Sequence, residues 1–183
     1  MSLRTRFIAV RHGESDANQR QVISDRLVDH ALTKRGIQQA EETAQNLRDE
    51  KIDLIVSSTR QRAKQTGQII NKFHNADMIL TDDLIERDYG IFSGVSKPEA
   101  STIMANEGFD WLNIPESETA QELDLRVDRV VELVVKDHAG KSILISTHED
   151  VIRSFFRVLE EKTEAESMSL KVENSKPYIF NRS

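Results

Sequence analysis

The sequence predicts an α/β layer fold built on an open sheet. Short apolar runs of strand length alternate with longer segments whose apolar residues recur at helical spacing. Glycine and polar residues follow the runs directly, as in Val10-Arg11-His12-Gly13. The chain has 183 residues, enough to bury a sizeable core, and shows no internal repeat or low-complexity run, so a single domain over 1–183 is expected.

The first strand is expected at Phe7-Ile8-Ala9-Val10. Thr33 can then cap a helix carrying Ile37, Ala40, Ala44 and Leu47, and Asp53-Leu54-Ile55-Val56 opens a second strand, completing a β-α-β pattern. Ser58-Thr59-Arg60-Gln61 reads as a capping box whose helix turns Ala63, Ile70 and Phe73 inward, and Met78-Ile79-Leu80 is a third strand. From Gly90 to Gln121 glycine and proline interrupt the pattern. A lid-like excursion at about 91–121, with a short helix near Glu99 to Asn106, is expected over one end of the sheet. Leu123, Val127, Val130 and Val134 share one helical face, Ile143-Leu144-Ile145 forms a buried strand, and Val151, Ile152 and Phe155 lie on a following helix. Met168 to Val172 and Tyr178 to Phe180 are expected to form a closing hairpin around Asn174-Ser175-Lys176-Pro177.

Composition excludes several chemistries. With no cysteine there is no disulfide, thiolate metal site or cysteine nucleophile. The net charge of −6 argues against nucleic-acid or anionic-membrane partners, which call for basic surface. No apolar run approaches the ~20 residues of a membrane span and no signal-like segment opens the chain, so a cytoplasmic location is expected.

Open α/β sheets place ligands beyond the carboxyl ends of their strands. His12 follows the first strand and His148 follows Ile143-Leu144-Ile145-Ser146-Thr147, so the two can meet in space. Arg11 adjoins His12, Gly13 permits close backbone approach, Asn18 can donate a hydrogen bond, and Arg62 lies near a helix start after the second strand. Two arginines, two histidines and a helix N-terminus form a receptor for a phosphoryl group, because the guanidinium fork matches phosphate oxygens. His12 is the expected nucleophile.

These residues sit in motifs that resemble the histidine phosphatase superfamily, the phosphoglycerate mutase-like proteins. Arg11-His12-Gly13-Glu14-Ser15 with Asn18 looks like its signature. Leu32-Thr33-x-x-Gly36-x-x-Gln39-Ala40, Ser57-Ser58-x-x-x-Arg62-Ala63-x-Gln65-Thr66, Leu84-x-Glu86-x-x-x-Gly90-x-x-x-Gly94 and Ser146-Thr147-His148 with Ile152-Arg153 follow in the family's order, across roughly positions 6 to 156. The resemblance implies a three-layer α/β/α fold with a mostly parallel central sheet. It implies His12 as phosphate acceptor, Arg11 and Arg62 as phosphate clamps, His148 as a phosphate-contacting partner and Glu86 as proton donor. No metal or cofactor is implied.

The chain departs from the family pattern at Glu149, where Gly or Ala is usual after the second histidine. Two readings compete: an inward carboxylate that weakens anion binding, or a first-turn residue in a capping box Thr147-x-x-Asp150, which is favoured. Arg60 stands where an apolar residue is common and is read as surface. Glu118-Thr119 and Arg126-Val127 resemble the family's Glu-Ser and Arg-Val pair, with Ser117 in place of glycine. A metal site from His12, His148, Glu14 and Glu86 is opposed by the two arginines, which would repel a dication. His30, His74 and His138 are read as surface or loop residues, and the Arg4/Arg6, Glu41-Glu42 and Glu160-Glu161 pairs as solvated faces.

The resulting expectation is a metal-independent phosphatase acting on a phosphate monoester of a small metabolite through a phosphohistidine on His12. The shorter excursion favours hydrolysis over mutase activity, and a monomer and a homodimer are both compatible with the sequence. Alternatives are a protein phosphohistidine phosphatase and a phospho-ligand-binding or regulatory protein with little turnover, the latter motivated by Glu149.

Overall fold

The computed structural model describes residues 3–25 and 29–182. In chain order the elements are β1 (Thr5–Arg11), α1 (Asp16–Arg20), α2 (Lys34–Leu47), β2 (Leu54–Ser58), α3 (Gln61–Asn71), β3 (Asp77–Thr81), α4 (Lys97–Glu107), α5 (Ala120–Asp137), β4 (Ser142–Thr147), α6 (Glu149–Glu160), α7 (Glu164–Ser169) and β5 (Pro177–Arg182). The strands form one sheet in the order β3-β2-β4-β1-β5, in which only β5 runs antiparallel to its neighbour.

The period-2 alternation of buried strands explains the three layers. Ile8, Val10, Ile55 and Leu144 face one side and pack on Ala44 and Leu47 of α2 and Ile70 of α3. Phe7, Ala9, Leu54, Val56, Ile143 and Ile145 face the other and pack on α5 through Leu123, Val127 and Val130, and on α6 through Val151, Ile152 and Phe155. β1 and β4 are parallel neighbours, with Arg11 opposite Thr147, and the His12 amide extends the ladder by donating to the Thr147 carbonyl at 2.9 Å. The chain leaves β1 toward α2 on one face and leaves β4 into α6 on the other. Their carboxyl ends therefore flank a crevice where the order of connection reverses, the position at which open α/β sheets bind ligands.

Residues 90–119 carry their own small apolar cluster, in which Phe92, Ala100, Met104 and Ile114 pack with Ile23. Arg87 pins this segment, donating from Nε to the Glu118 carbonyl at 2.7 Å and from Nη1 to the Trp111 carbonyl at 3.0 Å. A buried bidentate pair closes it: Arg126 Nε and Nη2 reach the Glu118 carboxylate at 2.6 and 2.8 Å, and Arg126 Nη1 donates to the Asp83 carbonyl.

Several local expectations are corrected. The closing hairpin does not form: Thr163 and Glu166 make a reciprocal capping box that starts α7 over Met168, and β5 pairs with β1. α3 ends at Asn71, which leaves Phe73 beyond it and exposed. On α2 the inward positions are Gly36, Ala40, Thr43, Ala44 and Leu47, with Ile37 turned to solvent. Ser58 does not cap α3. Arg60 occupies that position without a side-chain bond, and the Asp29 carboxylate accepts the Gln61 amide instead. Likewise Thr147-x-x-Asp150 is not a capping box, since the Thr147 hydroxyl donates to the Leu84 carbonyl and His148 is the N-cap residue of α6.

Candidate active site

A cavity of 370 Å³ opens at the carboxyl ends of β1 and β4. Arg11, His12, Asn18, Arg62 and Glu86 all line it, although they come from four separate segments of chain. His148 is not among the lining residues. It is fully buried beside His12, ring centroids 5.2 Å apart and nearly edge to face.

His12 is held by its backbone neighbours. Gly13 lets the chain leave β1 in contact with the start of α2, and a Cβ at either Gly13 or Gly36 would run into the other segment's backbone. His12 Nδ1 lies 2.7 Å from the Gly13 carbonyl oxygen, which can only accept, so Nδ1 carries the proton. Arg62 Nε, which can only donate, lies 3.1 Å from His12 Nε2. The partners thus fix the neutral tautomer with its lone pair on Nε2. Burial first, then the Arg62 and Arg11 charges, hold the His12 pKa well below the usual 6.5.

Arg62, at the second position of α3, is 1 % exposed and is aimed by Ser24, whose hydroxyl and carbonyl each accept a guanidinium N–H at 3.0 Å. Burial lowers its pKa somewhat, but it remains a cation. Ser58 ends β2 and is 2.9 Å from His148 Nε2. Burial and the Arg62 charge hold His148 neutral as well. Asn18 closes a capping box with Ser15: its Oδ1 accepts from the Ser15 amide, so the group it offers the cavity is its NH2.

Glu86 sits at the N-terminus of α6. Oε1 accepts from the Arg87 and Asp150 amides and Oε2 from the Glu149 amide, at 3.0 to 3.1 Å. It replaces the side-chain cap that Thr147 does not supply. Burial and the adjacent Asp150 carboxylate push its pKa up to about 7, against the opposing pull of the Arg87 amide and Arg62. Near neutral pH it is poised between acid and base.

Glu149 points inward. It belongs to the first turn of α6, yet its carboxylate pairs with Arg11 Nη2 at 2.9 Å and Arg153 Nη2 at 2.7 Å and lines the cavity. The favoured capping reading missed this because a first-turn carboxylate and a cavity carboxylate are the same residue here. Arg11 Nη1 donates to the Val172 carbonyl. Sequence reasoning gave no site role to Ser24, Tyr89, Lys97, Trp111, Asp150 or Met168, which also line the cavity. Ser24, Lys97 and Trp111 come from segments without periodicity or motif, Tyr89 occupies an unspecified position of the Glu86 motif, and the sequence pattern places Asp150 in a cap and Met168 in a strand. Three buried nitrogens on this side of the molecule, Arg11 Nε, His148 Nδ1 and Arg153 Nε, have no hydrogen-bond partner. Buried donors of this kind call for an acceptor, and an oxyanion supplies several at once. Among the described residues no group of three or more His, Cys, Asp or Glu is arranged to hold a metal ion, and no helix is long and apolar enough to cross a membrane.

A model of the histidine phosphatase superfamily (branch 1) matches residues 7–182. The chain belongs to that superfamily. It is 33% identical over 144 residues to the Bacillus subtilis protein called uncharacterized phosphatase PhoE, covering 79% of this chain and 72% of that one. It is also 33% identical over 174 residues to a 2,3-bisphosphoglycerate-dependent phosphoglycerate mutase of Thermoplasma acidophilum, covering 95% and 86%. Among solved structures, YhfR of Bacillus stearothermophilus superposes with a TM-score of 0.86 at 22% identity over 96% of this chain and 90% of that one. The fold is therefore that of phosphoglycerate mutase-like proteins. Relatives in this superfamily are phosphatases or mutases, which supports phosphoryl chemistry at this cavity in general terms.

Proposed function

We propose that the protein is a phosphatase that hydrolyses a phosphate monoester of a small metabolite through a phosphohistidine on His12. The observation that carries this reading is the neutral, Nδ1-protonated His12 with its Nε2 lone pair held at the floor of a cavity, beside Arg62 and a second buried histidine. The substrate's phosphoryl oxygens replace His12 Nε2 as the acceptor for Arg62 and take up Arg11 Nε. The freed lone pair then attacks phosphorus. His148 contributes its unpartnered Nδ1 when the Ser58 hydroxyl donates to Nε2. Asn18 offers its NH2 to the same oxygens.

Phosphate monoesters are among the slowest esters to hydrolyse unaided, with enhancements of up to about 10²¹-fold, so stabilising charge at the transferring group is the main task. Two guanidinium groups meet it without a metal, and they oppose dication binding. The P–O bond to the leaving group breaks as Nε2–P forms, and protonated Glu86 delivers its proton to the departing alkoxide. Oε2, with a single N–H bond, is the oxygen with room for that proton. In the second step the Glu86 carboxylate takes a proton from water as the water oxygen attacks phosphorus. The Nε2–P bond breaks, inorganic phosphate leaves, and Glu86 is reprotonated.

The limited size of the cavity supports a small ester over a protein substrate. The Glu149–Arg11 ion pair supports the second reading, binding with little turnover, because it occupies part of the phosphate-binding side. A panel of phosphate esters assayed with the parent and His12→Ala separates the two. Turnover of any ester that His12→Ala abolishes supports catalysis, whereas binding of phosphate esters with no turnover supports the binding protein.

A further inference from the structure

The residues around the cavity are arranged to handle one anion and no more. Arg11 and Arg62 flank His12 as the cations on the phosphate side, and Arg11 Nη2 is already paired with Glu149 at 2.9 Å. The third arginine lining the cavity, Arg153, has both Nη groups paired with carboxylates and only its Nε left without a partner. Its Nη1 reaches Asp150 Oδ1 at 2.6 Å, its Nη2 reaches Glu149 Oε1 at 2.7 Å, and Nη2 also donates to the Leu170 carbonyl. The other oxygen of Asp150 accepts the Tyr89 hydroxyl at 2.7 Å, which locks that carboxylate in place. Glu149 bridges Arg153 and Arg11 through its two oxygens, so it stands between the phosphate side of the cavity and the only other buried cation there among the described residues. Lys97 lines the mouth, but it is exposed at the first position of α4, where solvent screens most of its field.

A substrate carrying a second anion would meet two carboxylates and a guanidinium whose two Nη groups they already hold. A substrate carrying a cation would find both carboxylates engaged on each oxygen. The rest of the lining includes an aromatic and apolar wall, in which Tyr89 and Trp111 meet edge to face at 6.2 Å with Val22, Ile23 and Met168, together with Ser15, Ser24 and the exposed Lys97. A small residue at position 149 would leave Arg11 Nη2 and Arg153 Nη2 without their shared carboxylate, a ready site for a carboxylate or a second phosphate.

We propose that Glu149, bridging Arg11 and Arg153, is a specificity-determining residue that restricts the substrate to phosphate monoesters with an uncharged leaving group and selects against esters bearing a second anion. Discrimination of this kind works by placing like charge where the wrong ligand must go. The inference rests on the phosphatase reading above and names its substrate class.

The test uses three aryl esters of matched shape: phenyl phosphate, 4-carboxyphenyl phosphate and 4-(aminomethyl)phenyl phosphate, with kcat and KM measured for the parent, Glu149→Gln and Glu149→Ala. The parent is expected to prefer the neutral ester over the carboxylated one by about tenfold or more in kcat/KM, mostly through KM. In both variants that preference should shrink to about threefold or less, by gain on the carboxylated ester. A purely structural role for Glu149 would lower all three esters together and leave their ratios unchanged, which would overturn the inference, as would a parent that prefers either charged ester. Absence of turnover of every ester by the parent would instead remove the phosphatase reading and this inference with it. Turnover with unchanged ratios removes the inference alone.

Discussion

Replacing Glu86 by Gln separates its roles as structural acceptor and as acid. The amide keeps the shape of the side chain and an oxygen for the α6 N-terminal amides, but it cannot carry a titrating proton. With its pKa pushed up to about 7, Glu86 is about nine-tenths protonated at pH 6 and about one-tenth at pH 8. For an alkyl phosphate, whose alkoxide leaves only with a proton, kcat should therefore fall about tenfold for each pH unit above 7. Glu86→Gln should lower kcat on that ester by about 10² to 10⁴ and flatten this alkaline limb. On an aryl phosphate with an acidic phenol, the loss in the first step should be far smaller. The assay is a pH series of kcat for a matched alkyl and aryl ester with both proteins, reading released phosphate. If Glu86→Gln retains the alkaline limb, or loses the same factor on both esters in the phosphorylation step, Glu86 is not the acid.

Arg62→Lys keeps the charge but loses the fork that reaches His12 and Ser24 together, and should lower kcat/KM by about 10² to 10³ with KM rising less than kcat falls. Breaking the buried pair by Glu118→Ala should cost about 3 to 5 kcal/mol in urea unfolding, because Arg126 is left as an uncompensated buried cation, and should loosen the Arg87-pinned segment to proteolysis. Gly36→Ala should cost about 1 to 3 kcal/mol by forcing the start of α2 away from Glu14, read as a lowered Tm. Burial raises the Glu86 pKa from 4.5 to about 7, so the folded state holds a proton that the unfolded chain releases; stability should decline by about 3 kcal/mol as pH rises through that window, and Glu86→Gln should remove the decline. His12 and His148 act in the opposite sense: both are held below 6.5 in the fold, so acidification below pH 6.5 should destabilise the protein, and less so in His12→Ala.

The layered sheet was legible because its strands are short apolar runs and its helices bury one stripe, which leaves period and length to decide each element. The five predicted site residues that reach the cavity, Arg11, His12, Asn18, Arg62 and Glu86, were legible for a different reason: polar residues directly after buried strands, or in family motifs, have few structural alternatives. Capping was legible at Thr33, whose hydroxyl accepts the Gly36 amide at the start of α2, and not at the other two helix starts. Ser58, Thr147 and Asp150 have the side chains of cap residues, but other partners claim them: His148, the Leu84 carbonyl, and Tyr89 together with Arg153 of the same helix. A sequence pattern shows which residues can satisfy a helix end, not which distant acceptor reaches it first. Glu86 does so from 63 residues away. The aromatic wall was invisible for the same reason, since Tyr89 and Trp111 lie in segments without periodicity and meet only because Arg87 and Glu118 fold the excursion back.

The central claim is that His12 carries the phosphoryl group between substrate and water. Mixing the protein with an aryl phosphate, quenching in alkali during the first turnover and mapping phosphoryl groups by mass spectrometry tests it directly, since a phosphohistidine is stable in alkali and labile in acid. The account predicts a burst of phenol matching the enzyme concentration, with a phosphoryl group on the peptide containing His12. A full burst with that peptide unmodified, or with the phosphoryl group on another residue, would contradict it.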